Sequence, residues 1–270
     1  MSLKMIPAYE LLKRYVGVWR NSATMHLLLL EGEPGMGKTF EIEKYLKDNK
    51  QDFLVVNSHI TPLGLYRTLY VMRDGFIVLD DVLKLFKSEE NRGMLMAATQ
   101  TGESPREITY TSSTDRLGDI PQRFEFSGKI VVICNKLPKR MDALRSRSYP
   151  YNLTLTYEEK IQKITEVANA KNIPIEVVDF IKRATTKHTP PDILNIRLLL
   201  KLDSIYKEFP GDWESLGTHV VMQDNNMYIL SKILNADVPV EEKIAEYIRL
   251  TGKSRSSFYY HKKKIESGKK

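Results

Sequence analysis

Residues Gly32 to Thr39 read GEPGMGKT, a spacing of glycine, lysine and threonine that suits a loop wrapped around phosphates. The glycines let backbone N–H groups turn toward an anion, and the following helix adds the positive end of its dipole. The flanks agree with that use, because the apolar run LLLL precedes the loop and the helical run FEIEKYL follows it. In such a strand, loop and helix, Lys38 reaches the β- and γ-phosphates of a nucleoside triphosphate, and the Thr39 hydroxyl ligates Mg²⁺. The expected nucleotide-binding set is Gly32, Glu33, Pro34, Gly35, Met36, Gly37, Lys38, Thr39 and Phe40. A second acidic feature, FIVLDD, ends an apolar run at Asp80 and Asp81. Asp80 is expected to hold the Mg²⁺ through water, and Asp81 to orient or deprotonate the attacking water.

These residues need a sheet behind them. Short apolar runs at 25–30, 53–57, 76–80, 129–135 and 151–155 alternate with helical patterns. Their apolarity is continuous rather than alternating, which predicts strands buried on both faces of a parallel sheet covered by helices. The expected first domain is therefore an α/β core over residues 1–155. Helical patterns at 157–171, 175–186 and 191–209 predict a small all-α domain over 156–209, with PPDIL as the first turn of its last helix. The polar stretch 210–226 is expected to be a linker, and 227–270 a final helical module.

At 270 residues with 42% hydrophobic content, the chain can build real cores. Its one cysteine, Cys134, lies within the apolar run IVVIC, which excludes a disulfide framework or a cysteine-based metal site. MHLLLLEG is too short to cross a bilayer and lacks a secretion-signal lead-in, so a cytoplasmic protein with no membrane partner is expected. The net charge is +7, and the last nineteen residues carry +6 of it. A polyanionic partner should therefore meet the C-terminus.

Taken together, GEPGMGKT, FIVLDD, KIVVICNK and ALRSRS occur in the order and approximate spacing of an AAA+ ATPase, a family this chain resembles over about residues 5–208. The resemblance implies a P-loop NTPase parallel sheet with a helical lid, ATP and Mg²⁺ as ligands, and ATP hydrolysis. It assigns Asn135, at the end of IVVICN, as the sensor that positions the nucleophilic water or senses the γ-phosphate. It assigns Arg147 as the arginine finger that completes a neighbouring subunit's site in a homo-oligomer, with Arg145 as its rival. The lid's sensor arginine has no clear counterpart, because PPDILNIR places proline at the usual position and Arg197 two turns along. Asp81 stands where the family most often has Glu, and one methylene less implies slow hydrolysis. FEFSGK before the sensor strand resembles ATPases of phages, plasmids and archaeal mobile elements. The alternating ITYTSS between them reads as a projecting hairpin or as a packed edge strand.

At the C-terminus, VPVEEKIAEYIRLTGKSRSSFYYHKKKIESG divides at TGKS into two short helices. The first aligns Ile244, Tyr247, Ile248 and Thr251; the second has Ser254 as N-cap, with Phe258 and Ile265 on one side. Ser256, Tyr260 and Lys263 fall opposite, flanked by Tyr259 and Lys264. The pattern resembles a DNA-binding helix-turn-helix, in which Arg255, Ser256, Tyr259, Tyr260, Lys263 and Lys264 meet double-stranded DNA. The combined expectation is a DNA-binding AAA+ ATPase of replication initiation or helicase loading in a mobile element, with a helicase or other replication partner. The alternatives are an ATP-switched DNA-binding regulator and a transposition or packaging adaptor.

Overall fold

The computed structural model of the chain describes residues 6–267 apart from 58, 104, 112–116, 138–140, 188 and 223–225. It divides the chain into two units, Met1–Glu33 with Gly37–Thr154, and Pro34–Met36 with Leu155–Lys270. In the first unit, α1 (Ala8–Asn21) leads into β1 (Leu27–Gly32), α2 (Lys38–Asp48), β2 (Phe53–Val56), α3 (Pro62–Val71) and β3 (Phe76–Asp80). A 3-10 turn at Leu83–Lys87 precedes α4 (Glu89–Ala98), the strands β4 (Arg106–Thr109) and β5 (Arg123–Phe126), then β6 (Lys129–Cys134), α5 (Asp142–Arg145) and β7 (Ser148–Leu153).

Five strands form one parallel sheet in the order β2-β3-β6-β1-β7. Leu27 to Leu30, Phe76 to Leu79 and Ile130 to Cys134 are all buried, so the central strands read as unbroken apolar runs because both faces are covered. The edge strand β7 starts at Ser148, ahead of the expected 151, where it pairs with Leu27. Register carries the consequence for function. Asp80 lies opposite Ile133, and Glu31 opposite Cys134. The C-terminal ends of β1, β3 and β6 therefore finish together, which brings Gly32, Asp80 and Asn135 to one edge of the sheet.

β4 and β5 pair antiparallel, with Arg106 and Ile108 on β4 and Phe124 and Phe126 on β5 buried while their neighbours face out. Of the two readings of ITYTSS, the described part, Ile108 to Thr111, favours the packed strand; Ser112 and Ser113 lie outside the described residues. The lead-in FEFSGK is explained by the same packing. Phe124 lies against Tyr66 and Tyr70. A Cβ on Gly128 would come within 2.7 Å of the carbonyl oxygens of Gly75 and Met72. The Lys129 ammonium donates to the carbonyls of Trp19, at 2.9 Å, and Ser22, and so ties the end of α1 to the sheet.

The second unit is helical throughout its ordered elements: α6 (Tyr157–Ala170), α7 (Ile175–Ala184), α8 (Ile196–Glu208), α9 (Trp213–Met222), α10 (Asn226–Leu234), α11 (Val240–Thr251) and α12 (Arg255–Ser267). Two expectations are corrected here. PPDIL is not the first turn of α8, which starts only after Asn195. The Asn195 side chain caps α8 by accepting from the N–H groups of Arg197 at 2.9 Å and Leu198 at 3.2 Å. Arg197 consequently sits in the first turn of α8 and not two turns along. Residues 210–226 are also not an irregular linker, because α9 occupies most of them and buries Trp213 and Val221 with Phe180 and Leu202. Gly217 serves close packing within α9: a Cβ there would come within 2.9 Å of Leu202.

Candidate nucleotide site and C-terminal surface

The loop after β1 turns where glycine is required. Gly37 has φ 77° and serves as the N-cap of α2. Gly32 ends β1, and a Cβ there would lie 2.7 Å from the Leu153 carbonyl oxygen. Lys38 follows as the first residue of α2, buried, with its ammonium donating to the carbonyls of Gly32 and Glu33 at 2.8 Å each and to Asn135 Oδ1 at 3.1 Å. The Thr39 hydroxyl donates to Asp80 Oδ2 at 2.7 Å. Direct hydrogen bonds thus join Lys38 to Asn135, 97 positions away, and its neighbour Thr39 to Asp80, 41 positions away. Met36 is buried, and Phe40 is 64% exposed on the outer side of α2.

The oxygen donors Thr39 Oγ1 and Asp80 suit a hard cation that keeps water and phosphate as its other ligands. No cluster of three or more His, Cys, Asp or Glu ligands exists among the described residues, so an all-protein cage for a softer metal is not offered there.

Asp81 is set differently from Asp80. Its backbone takes φ 55°, its N–H extends the ladder to Ile133 O at 3.0 Å, and its side chain is exposed. Aspartate tolerates this left-handed conformation better than most residues with a Cβ.

The two arginines of ALRSRS part company. Arg145 pairs with Glu31 at 2.6 Å, and the other Glu31 oxygen accepts the Leu137 N–H at 2.8 Å. Arg147 donates to the Ala143 carbonyl at 3.3 Å and lies 3.2 Å from Met96 Sδ, with no carboxylate partner among the described residues. Glu31 went unnoticed in the sequence. Its only signal is a charge at the end of an otherwise apolar strand, immediately before the loop. Charges of both signs surround Cys134, whose thiol is pushed up to about 11, chiefly by burial and next by Glu31. It remains a protonated core residue.

At the other end of the chain, α11 stops at Gly252, φ 65°, and Ser254 Oγ accepts the Ser257 N–H at 3.3 Å at the start of α12. Phe258 is buried edge-on against Tyr247 at 5.6 Å, and Ile265 packs onto the same cluster with Ile229, Leu230 and Ile244. His261 faces this interior, bonded through Nδ1 to the Tyr247 hydroxyl at 2.7 Å. Ser256, Tyr259, Tyr260 and Lys263 are exposed, the two tyrosines at 46% and 59%. Arg255 is exposed but engaged in a two-pronged pair with Glu241 at 2.7 and 2.6 Å, which holds the Glu241 carboxyl below its ordinary range. The Lys264 side chain lies outside the described residues.

A glycine-rich loop between β1 and α2, an acidic β3 end, a polar β6 end and an all-α second unit define the α/β P-loop NTPase fold of the AAA+ type. No protein-family model matches the chain, and no curated protein matches it. Among solved structures, it is similar to the RuvB Holliday junction branch migration motor of Thermotoga maritima. The identity is 17% over 88% of this chain and 80% of that chain, with a TM-score of 0.50. A mutant of the same RuvB aligns at a TM-score of 0.51, with 16% identity over 87% of this chain and 79% of that one. CDC6P from Pyrobaculum aerophilum aligns at 0.49, with 15% identity over 99% of this chain and 88% of that one. At such identities the likeness is one of fold. No helix among the described residues is long and apolar enough to cross a membrane.

Proposed function

We propose that this protein is a DNA-binding ATPase that assembles as a homo-oligomer on duplex DNA. The observation that carries the reading is the two hydrogen-bonded pairs Lys38–Asn135 and Thr39–Asp80, side by side at the sheet edge. Lys38 exchanges its carbonyl partners for the β- and γ-phosphates of ATP. Thr39 and Asp80 hold Mg²⁺, which when bound neutralises charge on the phosphate oxygens. Asp81 accepts the proton of the attacking water, and Asn135 fixes that water's position. Arg147, free of any carboxylate among the described residues, is the finger for a neighbouring site; Arg145 is already committed to Glu31.

The address is α12. With Phe258 and Ile265 turned inward, Ser256, Tyr259, Tyr260 and Lys263 form the face offered to the major groove in a helix-turn-helix, with Lys264 expected beside them. Arg255 contributes less than its charge promises, because Glu241 neutralises it. The biological setting this layout fits best is replication initiation or helicase loading in a mobile element. The fold shared with RuvB, a branch migration motor, adds a motor on branched DNA as a related task.

One observation favours a second reading. Asp81 is shorter than the family's usual Glu and sits on a left-handed backbone, which supports an ATP-switched DNA-binding regulator with little turnover. Steady-state ATP turnover with and without duplex DNA separates the two. DNA-stimulated turnover lost in Asp81→Ala is the result expected of the ATPase. Background turnover, unchanged in that variant, would leave the regulator.

A further inference from the structure

Glu31 occupies an unusual position for a carboxylate. It is the next-to-last residue of β1, flanked in the sheet by Cys134 of β6 and Asn152 of β7, with a side chain only 15% exposed. Its two oxygens are divided between two segments. Oε2 accepts the backbone N–H of Leu137 at 2.8 Å, two residues past Asn135. Oε1 pairs with Arg145 at 2.6 Å, two residues before Arg147. The turn that carries both arginines is short, with the Arg147 N–H bonded to Leu144 O at 3.2 Å and its guanidinium to Ala143 O at 3.3 Å. Fixing Arg145 therefore fixes the backbone from which Arg147 projects.

We infer that Glu31 is a positioning residue that sets Asn135 and Arg147 together, linking the subunit's own nucleotide site to the finger it offers a neighbour. The inference rests on the ATPase reading for the roles of Asn135 and Arg147. A carboxylate this little exposed, accepting one backbone and one charge-assisted hydrogen bond, defines geometry far better than an exposed pair. Its next residue is Gly32, whose carbonyl holds Lys38. The same strand end thus orders the phosphate loop, the segment after β6 and the arginine turn. A small displacement of a residue that orients reacting groups costs much in rate and little in binding.

The two arms can be cut separately. Glu31→Gln keeps an acceptor for the Leu137 N–H and loses the charge on Arg145, as Arg145→Ala does from the other side; Glu31→Ala removes both arms. All three should bind a non-hydrolysable ATP analogue within about twofold of wild type while kcat falls on the order of tenfold or more. Mixing each with Lys38→Ala protein, which has an intact finger and a dead site, reads the arms. Turnover should return for Arg145→Ala and Glu31→Gln, whose own sites are sound, and should stay low for Glu31→Ala. Wild-type turnover in Glu31→Ala, or restoration of Glu31→Ala as full as that of Arg145→Ala, would overturn the proposal. Hydrogen exchange at the Leu137 amide needs no turnover: it should quicken in Glu31→Ala and hold in Glu31→Gln. Equal exchange in all variants removes the latch, whereas a wild type that binds the analogue and never hydrolyses ATP defeats the ATPase reading instead.

Discussion

The sheet edge and the C-terminal helices are both candidate binding surfaces, built by opposite means. At the edge, backbone geometry does most of the positioning: Gly37 in the left-handed region, strands in register, and a buried lysine held by two carbonyls and an amide oxygen. In the C-terminal module a few buried side chains, chiefly Phe258 and Tyr247, orient a face whose polar members are exposed. The first arrangement fixes a ligand's position; the second fixes only which residues it will meet. Substitutions at the edge should therefore act steeply and singly, and those on the α12 face shallowly and in sum.

Lys38→Ala gives the steepest expected effect. Nucleotide affinity should fall at least about a hundredfold, because the ammonium bonded to the loop carbonyls of Gly32 and Glu33 is lost, while DNA affinity at low nucleotide stays as it was. Fluorescent-nucleotide titration beside a DNA binding curve checks both halves. Equal losses in the two would dissolve the contrast between the regions. Phe258→Ala should come next. Truncating a fully buried phenylalanine costs about 3–5 kcal/mol, more than a small helical cluster can absorb. Hydrogen exchange should then report opening of α12 with DNA binding lost and nucleotide binding kept.

How much of this could be read from the sequence follows the same division. GEPGMGKT and FIVLDD were legible because their chemistry depends on backbone turns that only certain residues make, at spacings a strand and a helix impose. The inward pair Phe258 and Ile265 was legible from helical periodicity, and α12 carries both on its packed side. The ion pairs were not legible. Glu31–Arg145 joins residues 114 positions apart and Glu241–Arg255 residues 14 apart, and no local pattern announces either. The start of α8 was misread because two prolines fit a first turn as well as they fit the loop before one; the Asn195 cap, buried among the turn's own carbonyls, decides it. The polar composition of residues 210–226 reads as a linker, whereas the close packing of Gly217 against Leu202 and Phe180, which seats α9 on its neighbours, leaves no local mark.

A subtler expectation concerns the first unit away from its edge. Burial and the neighbouring Arg106 lower the Lys129 ammonium to about 8 from 10.5. Between those values the unfolded chain binds more protons at this site than the folded one. Stability therefore gains a contribution as pH rises from about 8 toward 10.5, and the cost of the buried charge is fully present below 8. Tyr66, raised by burial, works in the opposite direction near the top of that window, so the informative quantity is the difference between wild type and Lys129→Met. Thermal melts at pH 7.5 and 9.5 should bring wild type closer to the variant, or further above it, at the higher pH. A constant difference would mean that the lysine stays charged against the carbonyls of Trp19 and Ser22 throughout.

The smallest expected effect tests the C-terminal face most sharply. If α12 meets duplex DNA through exposed Lys263, Lys263→Ala should weaken binding and lower the salt dependence by about one phosphate contact. Arg255→Ala should change affinity by less than about twofold, because its guanidinium is already satisfied by an exposed carboxylate. Glu241→Ala discriminates further. Releasing Arg255 from that carboxylate adds a free cation beside Ser256, so this variant should bind DNA more tightly than wild type and with a steeper salt slope. An Arg255→Ala loss as large as that of Lys263→Ala would mean that Arg255 leaves Glu241 for a phosphate on binding. The recognition face would then extend to the turn at Gly252, and the pair would be a resting contact of the free protein.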